Sequence, residues 1–531
     1  MRKQIPCFVF TVLAIFIACR ENAKTPSVAE IKEIGLKTGS VVLCGPDKRN
    51  VGNVNFDITG DAAIKKDFNF ATALLHSFEY DEAEKVYAQI IKEDPGCAMA
   101  YWGVAMSNYH PLWAPPEKAE LIKGTKALAV AKSLKHKSER ESDYINALAV
   151  FYNDWHNANY KTRCKKYEQA MESLYKKYPG DKEAAIFYAL ALNAAADPAD
   201  KSFASQKKAG EILNAIYKQE PGHPGIVHYI IHTYDYPALA KRALPAARQY
   251  ATVAPASAHA QHMPSHIFVR LGLWDDCIQS NLASVSAAKC YAESVGIKGH
   301  WDEELHGLDY LEYGYLQKRD TQHAKQYVDY IRTIKNVQPA NFKVAYALAA
   351  IPARYVLENK LWSEAAVLQT PVAGFAWEKF PWQEAMIHFA RALGMAHTGN
   401  VPGAEKEVTI MRRLHEKLLE QKDAYQSNLV DIQLKCAEAW ILWKKGNNEA
   451  ALQQMELAAD MEDKTEKHPV TPGELLPARE QLADMLMYMK RRGEALAAYR
   501  LVLTTHPNRY NALQGAEKAS ESENITAVRN K

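Results

Sequence analysis

Apolar residues recur along most of this chain at spacings of three and four, the period of a helix with one buried face. Strand-like alternation is rare, and residues 51–56 (Val-Gly-Asn-Val-Asn-Phe) are its best example. The helical stretches end repeatedly on Pro-Gly or Pro-Ala: Pro95-Gly96, Pro179-Gly180, Pro221-Gly222 and Pro255-Ala256. Proline cannot continue a helix, so each of these marks a stop. From Pro221 to Pro255 the spacing is 34 residues. Counting twelve back from a proline reaches a small side chain at Ala83, Ala209 and Ala243, and Pro507 leads back to Ala495. A small residue at a fixed place lets two helix axes approach closely.

This layout resembles the tetratricopeptide repeat, a pair of helices that stacks on its neighbours. Glu79-Tyr80-Asp81-Glu82-Ala83 followed by Tyr87 has the turn and second helix of such a unit. Gly272-x-Trp274-x-x-Cys277 repeats it with Cys as the small residue. Trp362 with Ala365, Gly399 with Ala404, Gly446 with Ala451 and Ala495 with Tyr499 extend the series to about ten units. The expected fold is an all-α tetratricopeptide-type helix-turn-helix solenoid, because one helix pair cannot bury its apolar face alone. The expected organisation is a leader over residues 1–18 and a linker or lead-in over 19–60. Repeats follow over 61–291 and 292–515, with a Ser- and Glu-rich disordered tail over 516–531. Pro245 predicts a kink or early break in its helix, and Trp377, Phe380 and Trp382 read as packing rather than a ligand box.

Composition first changes the picture at histidine. Of 18 His, six fall between His223 and His266. In tetratricopeptide folds the first helix of each pair lines the concave groove, with positions 2, 5, 9, 12 and 13 pointing into it. Units starting at Pro224 and Ala258 put His228 and His232 at positions 5 and 9 of one unit, and His262 and His266 at the same positions of the next. Residues four apart share one helix face. Four imidazoles in one patch would suit a transition metal, and Zn, Cu, Fe and Ni all accept such ligands. The same phasing sends His110, Asp235, His259, Arg270, His306 and Asp309 to the groove, as lining or as supports for a ligating imidazole. Two readings compete with a metal: neutral imidazoles that bind a peptide or small ligand, and ordinary packing. His228-Tyr-Ile-Ile-His232 lacks the Glu of a metalloprotease helix. Pro264 suits a first helical turn, which predicts a helix starting after His262 and a different direction for that ring.

The 65 Lys+Arg against 62 Asp+Glu leave +3, which gives no concentrated basic charge for nucleic acid. Apolar residues at 48% exclude disorder over most of the length. Met1-Arg2-Lys3, an apolar run from Ile5 to Ala18 and then Cys19 have signal-peptide anatomy, too short for an ordinary membrane span. Phe16-Ile17-Ala18-Cys19 resembles a bacterial lipobox, in which Cys19 would be lipidated and anchor the protein to a membrane of the cell envelope. The periplasm or outer membrane would follow in a cell with two membranes; a plain secretory signal or N-terminal anchor is the alternative. Cys44, Cys97, Cys164, Cys277, Cys290 and Cys436 are too scattered for a zinc module or a disulfide scaffold, although some could pair after export.

Several stretches resemble a family of bacterial tetratricopeptide lipoproteins across most of residues 45–515. They are Ala73-Leu-Leu-His-Ser-Phe78, Tyr109-His-Pro-Leu-Trp113, His223-Pro-Gly with His228 and His232, and His262-Met-Pro-Ser-His-Ile-Phe268 with Arg270. Phe380-Pro-Trp382 and His468-Pro-Val-Thr-Pro-Gly473 complete the set. The resemblance implies the fold and carries no activity. The expected function is therefore an exported, lipid-anchored binding protein whose groove takes a protein, peptide or small molecule, with a metal-binding histidine patch. The rival is a metal-dependent enzyme on that patch, with Asp235, Asp309 or Glu303/Glu304 as base or orienting group. A pure assembly scaffold is the third reading.

Overall fold

The computed structural model describes residues 25–47, 50–112, 115–198, 200–371 and 374–529, with backbone alone for 522–529. The leader and Cys19 lie outside the described residues. From Ala62 to Thr505 the chain runs as successive helix hairpins, beginning Ala62–His76 with Tyr80–Glu93 and ending Ala478–Tyr488 with Arg492–Thr505. The only strands among the described residues are His300–Trp301 and Val337–Gln338, two short parallel partners. The all-α tetratricopeptide-type solenoid is what the structure contains.

The small residues sit where the helices cross. Ala83, Ala209, Ala243, Cys277, Ala324, Ala365, Ala404, Ala451 and Ala495 are all fully buried. Their lack of bulk brings the paired axes together and lets side chains from neighbouring hairpins fill one continuous core. No helix among the described residues is long and apolar enough to cross a membrane.

The structure adds detail to four local expectations. The 19–60 lead-in contains a helix, Val28–Ile34, capped by Ser27, and then a strap packed on the repeats. Phe56 is fully buried, edge-on to Phe68 at 5.5 Å and Trp102 at 5.7 Å. Asn53 N–H donates to the Gly222 carbonyl (2.9 Å), Ala256 N–H to that of Asn50 (3.0 Å), and Cys44 is disulfide-bonded to Cys290. Burial of the strap's aromatic explains why a polar stretch is not a free linker. The break expected at Pro245 is present: a 3₁₀ turn, Ala240–Ala243, gives way to the α-helix Leu244–Val253, with Pro245 in its first turn, where its missing N–H costs nothing. The Pro264 helix starts before the proline, at Ala258, because Ser257 caps it; the interruption falls at Met263, between Ala258–His262 and Pro264–Arg270. Helix Tyr510–Arg529 runs through the segment composed like a disordered tail, with Ala512 and Ala519 buried.

The concave side is not empty. Residues 464–477, between helices Asn448–Asp463 and Ala478–Tyr488, thread along it. Tyr310 Oη donates to the Val470 carbonyl (3.2 Å) and Tyr346 Oη to that of Gly473 (2.8 Å). The His468 ring lies 4.5 Å from Phe342 and 6.0 Å from Trp382. Trp382 therefore packs as expected, against Phe342 (5.5 Å) and this loop.

Candidate metal centre

Three consecutive first helices supply the imidazoles. Pro224–Tyr234 carries His228 and His232, Ala258–Arg270 carries His259, His262 and His266, and Asp302–Gln317 carries His306. The His223-Pro-Gly225 start brings the first of these helices against His76, where any side chain at Gly225 would overlap the His76 ring. Pro264 removes one backbone donor, and Ser265 Oγ bonds the His262 carbonyl (2.7 Å) across the interruption. Met263 keeps helical backbone angles (φ −54°, ψ −35°), and His262 Nε2 stays 3.1 Å from His266 Nε2.

The six rings form two trios, His228/His232/His259 and His262/His266/His306, and within each trio the ligand atoms all lie within 4.8 Å of one another. His228 Nε2 is 2.9 Å from His232 Nε2 and 3.1 Å from His259 Nε2. His262 Nε2 is 3.1 Å from His266 Nε2, and the His306 ring is centred 4.1 Å from that of His262. The trios adjoin, with His232 and His266 ring centres 6.4 Å apart. The four expected ligands thus fall two to each trio. The turn between repeats separates His228/His232 from His262/His266, and His259 and His306, expected in supporting places, complete the two sets.

Partners on the far ring nitrogens fix the tautomers. His228 Nδ1 donates to the His76 carbonyl (2.6 Å) and His266 Nδ1 to Asp235 Oδ2 (3.2 Å). His262 Nδ1 donates to Asn281 Oδ1 (2.7 Å), whose amide is oriented by Nδ2 donating to the Cys277 carbonyl (2.8 Å). A neutral imidazole that donates from Nδ1 presents a lone pair at Nε2. Burial, then the neighbouring imidazoles, pushes the pKa of His228, His232 and His262 well below the usual value. His259 and His306 are depressed as strongly, and burial also lowers His266 against the pull of Asp235. In the second trio both Nδ1 protons are committed, so the Nε2 lone pairs of His262 and His266 face each other at 3.1 Å with no proton to bridge them. In the first trio His232 Nε2 and His259 Nε2 lie within 3.1 Å of the His228 lone pair. Three nitrogens about 2.0–2.1 Å from one metal stand about 3.3–3.6 Å apart, so small ring rotations suffice to bind an ion.

The other predicted residues divide. Asp235 and Arg270 support the site: Arg270 Nε donates to Asp235 Oδ1 (2.8 Å), and Lys467 Nζ is 3.7 Å from Oδ2. Burial alone would raise Asp235, but Lys467, Arg270 and His266 hold it well below the usual range. Asp309 turns away and pairs with the fully buried Arg354 (2.7 Å). Glu303 pairs with Lys343, and Glu304 with His300 and Tyr330. His110 lies outside the trios, bonded to Glu120 (2.8 Å) with its ring against Tyr80. Sequence reasoning missed Asn281, on the second helix of its hairpin, and the cluster His76, Glu183 and His223. There Glu183 binds both imidazoles, His76 Nε2 at 3.0 Å and His223 Nε2 at 2.8 Å. Burial opposes ionisation of Glu183, but the two imidazoles hold it far below the usual range, while burial lowers the pKa of His76. Its place in Ala73-Leu-Leu-His76 was the available signal.

Rings wall the trios. Phe78 lies 4.4 Å from His228, 5.6 Å from His232 and 5.7 Å from His259. Tyr250 stacks on His228 at 4.9 Å, and Tyr310 stands 4.7 Å from His262 and 5.2 Å from His266. On the other side a cavity of about 370 Å³ reaches His232, bordered by Asp235, Arg270, Tyr425 and Lys467.

No protein-family model matches the chain, and no curated protein does. Solved structures that align with it include the TPR domain of P58(IPK), at 12% identity over 88% of this chain and 99% of that one, with a TM-score of 0.19. A second is Naa15/Naa10 bound to HypK-THB, at 12% identity over 81% of this chain and 62% of that one, with a TM-score of 0.24. A third is a monomeric mutant of IFIT1 with Gppp-AAAA, at 11% identity over 87% of this chain and all of that one, with a TM-score of 0.33. These scores are too low to carry an argument about this chain's function.

Proposed function

We propose that the protein is an exported, lipid-anchored metalloprotein that holds transition-metal ions in the two imidazole trios. One observation carries the reading: the Nδ1 atoms of both His262 and His266 are committed to acceptors, so two Nε2 lone pairs face each other at 3.1 Å. Packing histidines would instead satisfy one another with alternating donors and acceptors. The cavity at His232 has room for a small molecule beside the first trio, so a metal-dependent reaction there is the second reading. Asp235, Asp309, Glu303 and Glu304 are engaged elsewhere, so a base role does not fall to them. A peptide in the groove would have to displace residues 464–477, which argues against the peptide-binding reading. The leader, Cys19 and the Cys44–Cys290 pair support an oxidising envelope compartment.

The test is metal analysis of full-length protein purified without a polyhistidine tag, beside a His228→Ala/His232→Ala variant. Stoichiometric transition metal in the parent and a clear reduction in the variant are expected. Trace metal in both samples would end the metalloprotein reading.

A further inference from the structure

Which ion the trios select follows from charge, and the argument rests on the metal reading above. All six donors are neutral imidazole nitrogens. The nearby carboxylates are engaged: Asp235 by Arg270, Asp309 by Arg354, Glu303 by Lys343, and Glu79 by the Ser257 hydroxyl (2.6 Å). No carboxylate or thiolate belongs to either trio among the described residues. Neutral ligands leave an ion's charge uncancelled, and the cost of burying an ion rises with the square of that charge. Two divalent ions would place four charges in this space and two monovalent ions only two.

The surroundings sharpen the difference. Phe78, Tyr250 and Tyr310 wall the imidazoles with rings. One buried cation in excess lies nearby, because Arg270 and Lys467 share the single carboxylate of Asp235. Geometry points the same way. Each trio offers three nitrogens, which copper(I) can use alone, whereas zinc adds a water or substrate as a fourth ligand and six-coordinate ions draw on oxygen donors. Copper(I) is monovalent and accepts three nitrogen ligands in a plane. Zinc(II) is its main competitor, because imidazole suits both metals.

We propose that the two trios hold a pair of copper(I) ions, one on His228, His232 and His259, the other on His262, His266 and His306. The cavity at His232 then opens on the first of the two ions.

The experiment uses the full chain in detergent, metal-stripped and kept anaerobic. It is titrated with copper(I) against a chromogenic copper(I) chelator, and separately with zinc(II). Two equivalents of copper(I), retained against a tenfold excess of zinc(II), are expected. His259→Ala and His306→Ala should each keep one equivalent, with circular dichroism showing that both variants remain folded. If either variant unfolds, His259→Gln and His306→Gln replace it under the same expectation. Two equivalents of zinc(II) that copper(I) does not displace would overturn copper selection and leave the metal reading standing. A single equivalent abolished by either substitution would overturn the pairing. Failure to bind either metal would overturn both this proposal and the metal reading.

Discussion

Asn281 is the residue through which the second trio can be tested without touching a ligand. It is fully buried, and its Oδ1 accepts the His262 Nδ1 proton at 2.7 Å. Asn281→Leu keeps the branched shape, with more bulk, and removes the acceptor, so the imidazole loses the bond that fixes its tautomer. The expected result is a 10–100-fold weaker metal affinity at that trio alone, measured by chelator competition. The first trio, anchored on the His76 carbonyl, should be unaffected. Gly225 is a packing test of that anchor. A methyl group there overlaps the His76 ring, so Gly225→Ala should cost about 1–3 kcal/mol in denaturant unfolding.

At the scale of the element, the loop 464–477 is held partly by a group that must stay uncharged. His468 Nδ1 accepts the Val470 N–H (3.2 Å), and burial, then the Lys467 charge, lowers its pKa to about 3 from 6.5. The folded form is depressed, so an opened loop binds more protons between those values. Loop stability is therefore fully present above pH 6.5 and is lost as the pH falls toward 3. The loss should reach about 1–2 kcal/mol by pH 5, since each unit of difference corresponds to about 1.4 kcal/mol and the ring is partly solvent-screened. Hydrogen exchange over 464–477, corrected for intrinsic rates, should accelerate from pH 7 to pH 5. His468→Gln, which keeps an acceptor and cannot titrate, should remove that acceleration. The repeats themselves were legible because a helix crossing leaves a local mark, the small residue at Ala83, Ala209, Ala243, Cys277 and Ala495. The loop was not, because its partners Tyr310 and Tyr346 are more than a hundred residues away. For the same reason phasing placed His228, His232, His262 and His266 on groove-facing turns but could not divide them. Their division depends on the rotation between neighbouring hairpins, which also brings in His259 and His306.

Across the whole molecule, the chain's end docks on its middle. Trp274 Nε1 donates to the Asn508 carbonyl (2.9 Å), and Asn508 Nδ2 to that of Gly272 (3.2 Å). Gly272 has φ +64°, and any side chain there would collide with the Pro507 backbone, so glycine serves both the turn and the contact. Arg509 locks the closure. It is fully buried, pairs with Glu480 (2.7 Å) and Glu358 (2.6 Å), and reaches Tyr313 Oη (3.3 Å). Near-zero net charge conceals such pairs, and no spacing in the sequence ties Arg509 to Glu358. Removing the guanidinium leaves two carboxylates buried without a cation, and breaking a buried pair costs about 3–5 kcal/mol. Arg509→Met, similar in length and uncharged, should lower the unfolding free energy by that amount. Solution scattering should show a larger radius of gyration as the last hairpins swing off helix Asp302–Gln317. Adding Glu358→Gln and Glu480→Gln to Arg509→Met should recover much of the stability, because the stranded charges are then gone. If the triple variant is no more stable than Arg509→Met, the closure depends on the shape of the arginine rather than its charge.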